Sequence, residues 1–220
     1  MGGGTLLDFA RGPGMEWALA ILVFGIVWRL VGIFTLKRPK DLAEPRAGAS
    51  AIGAMWVIIS RTWPHKEFRE RVLHWEVVSY LFHGGYAVAI LGYAPHILLI
   101  RALIGISWPG LPGGVIAFAA GISGVALIAL LMHRLNSPVL RKISNFDDYF
   151  SWLVAFMPLP TGLMAYYHLG GNYEWMLGFH MLTGEILLAW LPFGKIMHTI
   201  LFAFSRGTTG LAYSRKGAPL

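Results

Sequence analysis

The stretch "GFHMLTGEILLAWLPFGKIMH", residues 178–198, sets two histidines, a glutamate and a lysine in an otherwise apolar run. Ionisable groups in such surroundings have two chemistries open to them: holding a metal, or passing protons along a relay. Four of the chain's eight histidines, His83, His96, His180 and His198, fall in apolar segments of this kind. The other four, His65, His74, His133 and His168, fall in a loop or at segment ends, where a solvated or interfacial side chain is the ordinary reading. Cysteine is absent, which excludes disulfides, zinc–thiolate sites and an iron–sulfur cluster held by this chain alone. A redox metal bound here must take its ligands from His, Met or carboxylates.

The elements that position these groups must be apolar helices. Of 220 residues, 56% are hydrophobic and 13% charged, whereas a soluble domain has about a quarter of its residues charged. The composition implies an all-α integral membrane protein. A crossing helix needs about 20 mostly apolar residues, and segments 17–36, 77–100, 113–132, 149–167 and 175–204 qualify. Five transmembrane helices are therefore expected, flanked by an N-terminal segment (1–16) and a tail (205–220). The N-terminus lacks the pattern of a removable signal peptide, so the first apolar segment is read as the first span. A barrel would need many alternating segments of roughly ten residues, and the lack of an internal repeat weighs against an inverted-repeat transporter.

Charge fixes the expected orientation. The net charge is +7, and fourteen of the eighteen Lys and Arg residues lie in 37–73, 134–142 and 206–216, all on one side of a five-span chain. The positive-inside rule then puts the N-terminus outside and the C-terminus in the cytoplasm of a prokaryotic cell membrane. The basic residues sort loops across lipid and imply no nucleic-acid partner. Within loop 37–73, segment 51–63 is too short to span yet carries Met55, Trp56, Ile58, Ile59 and Trp63. It is expected to lie in the membrane interface or to dock a cytoplasmic partner.

Depth then sorts the four histidines. On one continuous helix, His180 and His198 share a face and stand about 27 Å apart along the axis. The second span runs the other way, which matches His83 with His198 at the cytoplasmic depth and His96 with His180 at the outer one. Two depth-matched pairs suit bis-histidine ligation of two b-type haems within a helix bundle. On a straight helix His83 and His96 would stand about 140° out of line. Pro95 is expected to kink or unwind the helix there, and glycines 84, 85 and 92 would let a flat macrocycle approach. The alternative is one inner haem and an unligated His96.

The last span, "FHMLTGEILLAWLPFGKIMH", resembles the final helix of the gamma (cytochrome b) subunit of respiratory nitrate reductase, which carries two haem-ligating histidines at the same spacing. "SGVALIALLMHRLNSPVLRKISNFDDY" resembles that family's third helix and following loop, and "LFHGGYAVAILGY" its second helix, with His83 on the inner ligand. The likeness covers roughly residues 75–210. It departs in two places: the family's second ligand on that helix would fall on Tyr93, with the histidine displaced to His96, and loop 37–73 is long and partly apolar. The family includes membrane cytochromes of sulfite-reduction-associated and heterodisulfide-reductase-like complexes, and these departures point towards such a relative.

The resemblance implies an oxidoreductase-complex subunit that exchanges electrons between membrane quinone and a cytoplasmic iron–sulfur partner. Tyr93, Arg101, His168 and Glu185 are the quinone-site candidates, with interfacial anchoring and interhelical hydrogen bonding as their ordinary roles. Arg29, Arg134 and Lys195 are candidates for the inner haem propionates, or else snorkel to the interface. Three alternatives stay open: a nitrate reductase gamma subunit proper, a proton or small-solute carrier using Glu185, Lys195 and the histidines, and a metal-free membrane anchor.

Overall fold

The computed structural model describes residues 3–37, 44–46, 48 and 51–218. Arg38 and Lys40, counted above in the basic loop, lie outside the described residues. Among those residues all regular structure is helical. The first half holds α1 (Gly3–Phe9), a π turn (Ala10–Gly14), α2 (Met15–Thr35), α3 (Ala51–Ser60), α4 (Arg69–Gly92) and α5 (Ala94–Ile104). Next come α6 (Gly113–Asn136), α7 (Pro138–Ile143), α8 (Phe146–Phe156) and α9 (Pro158–Tyr166). Last are α10 (Tyr173–Trp190), a 3-10 turn (Lys195–Met197) and α11 (His198–Lys216).

Two helices, Leu6–Thr35 and α6, are each long and apolar enough to cross a membrane. The α4–α5 and α10–α11 units reach that length only as bent pairs, with bends of 70° and 77°. Among the described residues there are thus two candidate crossing helices, or up to four if each bent pair is one span. The expected fourth span, 149–167, is two short helices, α8 and α9, meeting at a helical Met157.

Three expectations of the sequence change at this level. The stretch expected as a separate N-terminal segment is helical from Gly3 and runs into the first span, because the wide π turn accommodates Pro13, which has no N–H. Segment 175–204 is not one straight helix: Pro192 and the extended Gly194 end it after Trp190. Residues expected as a free tail are helical to Lys216 and pack on α3.

Small residues set the packing. A Cβ on Gly85 of α4 would lie 2.6 Å from the Ala119 carbonyl oxygen of α6, so only glycine lets these two backbones approach. Ser123 donates across the same seam to the Phe82 carbonyl at 2.8 Å. Ala89, Ala120, Leu127 and Leu159 form the apolar centre where α4, α6 and α9 meet. On the other side of the molecule, α10 packs against α9 and against the first helix. At one end Gly210 of α11 sits against Gly53 and Ala54 of α3. The helices that carry His83 and His180, α4 and α10, have no packed interface with each other.

Candidate functional site: two histidine pairs across two broken helices

Each break follows from a proline, and each strands carbonyl groups that find new donors. At the first, Tyr93 is extended and Pro95 lies in the opening turn of α5. Pro95 has no N–H for the Leu91 carbonyl, which accepts instead from Trp108 Nε1 at 2.6 Å. The Gly92 carbonyl accepts from the Leu111 N–H at 2.8 Å. The Ala89 carbonyl accepts from His96 Nδ1 at 3.2 Å, so the break itself turns and holds this ring.

At the second break the donors come from distant helices. Arg29 of α2 donates through Nε to the Pro192 carbonyl at 3.0 Å and through Nη2 to the Phe193 carbonyl at 3.3 Å. Asp147 accepts from the Lys195 N–H at 3.1 Å. Asp148 binds Lys195 Nζ through one oxygen and Arg134 Nη1, at 3.1 Å, through the other. Burial alone would push the Asp148 carboxyl up, but the Lys195 hydrogen bond, the Asn145 N–H and the two cations outweigh it and hold it below its usual value. Arg29, Arg134 and Lys195, expected either at haem propionates or snorkelling to the interface, all engage the break that precedes His198.

Both depth-matched pairs come together. The His83 and His198 ring centroids stand 6.0 Å apart at an interplanar angle of 72°. Those of His96 and His180 stand 6.1 Å apart at 28°. The pairing is reciprocal: α4 gives His83 to one pair, and its arm after the break, α5, gives His96 to the other. Likewise α10 gives His180 to the second pair and its continuation, α11, gives His198 to the first.

The proton on each ring follows from its partners. His83 Nδ1 faces the Ser79 carbonyl at 2.7 Å, and His198 Nδ1 faces the Lys195 carbonyl at 2.8 Å. A carbonyl only accepts, so Nδ1 carries the hydrogen in these rings and in His96. His180 Nδ1 lies 3.2 Å from Thr161 Oγ1, whose own hydrogen goes to the Met157 carbonyl at 2.7 Å. Thr183 likewise spends its hydrogen on the His180 carbonyl at 2.7 Å. Thr161 therefore accepts from His180, and all four rings keep the Nε2 lone pair free.

This donor set fits haem. Two imidazoles sharing one metal ion, each bonded at about 2 Å, would have ring centroids about 6 Å apart, and the pairs stand at 6.0 and 6.1 Å. A backbone carbonyl or hydroxyl on the second ring nitrogen is the usual support of a ligating histidine. Among the described residues no group of three or more His, Asp or Glu could hold a bare metal ion. His83 with His198, and His96 with His180, would each hold one haem iron.

The remaining candidates scatter. Tyr93 lies beside the His96–His180 pair, its ring 5.2 Å from His96 and 6.1 Å from Tyr166. Arg101 is exposed on α5, and the exposed His168, at φ 54°, has its ring 4.6 Å from Tyr173. Neither hydrogen-bonds to or stacks on the pair. Glu185, expected near His180, points about 140° away around α10. It is only 5% exposed, faces Gly14 of the π turn, and has no partner for Oε1. His133 stacks on Trp75 at 3.8 Å, and His65 lies 3.8 Å from Glu67. Sequence reasoning missed Thr161, Tyr166 and Asp147; only the Asn145–Asp148 capping-box pattern hinted at the last.

No family model matches the chain, and no solved structure matches it. A protein of Nitratidesulfovibrio vulgaris, whose name reads only "Protein", is 30% identical over 219 residues, covering 94% of this chain and 93% of the relative. At that identity over nearly both whole lengths, the chain belongs to the family of the N. vulgaris protein.

Proposed function

We propose that the chain is a membrane cytochrome b subunit with two haems, carrying electrons between the membrane quinone pool and an iron–sulfur protein at the cytoplasmic face. The observation that carries the reading is the pair of histidine couples, 6.0 and 6.1 Å across, with Nδ1 protonated and Nε2 free. The resemblance to the nitrate reductase gamma subunit, the apolar helices and the one-sided distribution of Lys and Arg support it. When bound, haem supplies reversible one-electron iron chemistry, which the protein side chains lack.

The chain's own residues then have distinct tasks. His83 and His198 hold the group expected near the cytoplasm, and His96 and His180 hold the outer one. Thr161 and the Ala89, Ser79 and Lys195 carbonyls fix ring orientation and place the hydrogen on Nδ1. His83 stands roughly 14 Å along α4 from the break that carries His96, which sets the two sites apart, one towards each membrane face. Tyr93 and Tyr166, beside the outer pair, are the groups placed to meet a quinone headgroup. Arg101 and His168 are left as interfacial residues. The reciprocal pairing favours two haems over one, because His96 stands opposite His180 as His83 stands opposite His198.

The test is a pyridine haemochrome assay on the purified full chain, with two haem b per chain expected. His96→Ala should remove one haem and leave the other, and His198→Ala should do the converse. A chain expressed with ample haem that carries none would overturn the electron-transfer reading and leave the carrier or anchor. Loss of both haems in His96→Ala would overturn the assignment of the pairs.

A further inference from the structure

Apart from the histidine pairs, one more place gathers chemistry. Between the end of α3 and the start of α4 lies an open cleft of about 350 Å³, lined by Trp56, Ser60, Arg61, Trp63, Pro64, His65, Lys66 and Arg69. Three permanent cations converge there. None of the three has an ion-pair partner among the described residues, and no carboxylate lines the cleft. Glu67 turns instead to His65. The amino end of α4, with its partial positive charge, opens onto the same space.

The walls are held in place. The Tyr80 hydroxyl donates to the Thr62 carbonyl, tying the turn to α4. Arg206 Nη1 donates to the Ile58 carbonyl at 3.4 Å, tying α3 to α11. With Gly53 and Val57 buried towards α11, α3 presents Ile52, Met55, Trp56 and Ile59 on its opposite face, 81%, 56%, 52% and 60% exposed. Trp63, 48% exposed, continues that apolar face to the cationic cleft. An apolar stripe that ends in two tryptophans and three cations matches an acyl region passing into a headgroup layer.

We propose that this cleft binds the phosphate headgroup of an anionic phospholipid, with Arg61, Lys66 and Arg69 on the phosphate and Trp56 and Trp63 at the glycerol level. A bound lipid would fix the α3–α11 pair against the membrane surface. The proposal does not depend on haem.

The test is native mass spectrometry of the full chain in detergent, titrated with phosphatidylglycerol or with phosphatidylcholine of the same acyl chains. Phosphatidylglycerol should be retained roughly tenfold or more preferentially, as three basic contacts imply. The variant Arg61→Gln/Lys66→Gln/Arg69→Gln should lose that preference. A control with three charges removed elsewhere, Arg141→Gln/Lys142→Gln/Arg215→Gln, should keep it. Helical circular dichroism of each variant verifies folding. Equal retention of the two lipids, an unaffected cleft variant, or equal loss in the control would overturn the proposal. Displacement of the lipid by millimolar inorganic phosphate would also overturn it, marking a soluble-phosphate site instead.

Discussion

A ligating imidazole needs its second nitrogen held, and the four histidines achieve this in different ways. His83 uses the carbonyl one helical turn back, and His198 uses one within the 3-10 turn that introduces α11. His96 takes a carbonyl released by a helix break, and His180 takes a hydroxyl from a different helix. Only the hydroxyl can be removed by a side-chain change, while the Pro158 carbonyl stays as a backbone partner of His180. Thr161→Val keeps the shape of a buried residue and deletes the acceptor. It should weaken haem retention at the His96–His180 pair by about 10–100-fold, read as loss to an apoprotein acceptor, with the His83–His198 site unaltered. Glu185 shows the limit of spacing arguments at this scale. Its distance along the helix from His180 was legible, but its facing Gly14 depended on where α1 packs.

At the scale of elements, breaks and close approaches decide the architecture. The sequence showed that His83 and His96 would miss alignment on a straight helix and that Pro95 stood ready to break it. The direction of the bend was not legible, since it is set by where Trp108 and Leu111 meet the freed carbonyls. His180 and His198, expected on one continuous face, meet His96 and His83 across an element bent by 77°. Two neighbouring glycines test the α4–α6 seam. Gly85→Ala must push against the Ala119 carbonyl and should cost about 1–3 kcal/mol, seen as a lower thermal midpoint in detergent. Gly84→Ala meets nothing within 4 Å and should gain up to about 1 kcal/mol from the stiffer unfolded chain.

The second break has its own electrostatic latch. Because the folded Asp148 carboxyl titrates below its ordinary value, its contribution to stability is present above about pH 4, the unfolded value, and is lost as pH falls through the lower folded one. Asp148→Asn should therefore lower the midpoint at neutral pH and remove that part of the acid-induced loss. A variant with the same acid profile as the parent would show that Asp148 does not hold the break. The capping pattern around Asn145 was legible, but the partners Arg134 and Lys195 were not, because they arrive from separate helices.

For the whole molecule, the scarcity of charge pointed to a membrane protein and the length of the apolar segments to helices, and the described residues are helical throughout their regular structure. What composition left open was how α3 and α11 sit, because both are apolar enough for several surroundings. Their mutual packing through Gly210 and Gly53 turns a loop and a tail into one platform.

The absence of a packed interface between α4 and α10 has a mechanical consequence. Each histidine couple joins the shaft of one helix to the bent arm of the other, so a ligand held within each couple would cross-brace two shafts that otherwise meet only through neighbours. The bundle's rigidity would then follow mass action: midpoints should rise with the concentration of the bridging ligand, and a chain starved of it would be the more easily opened.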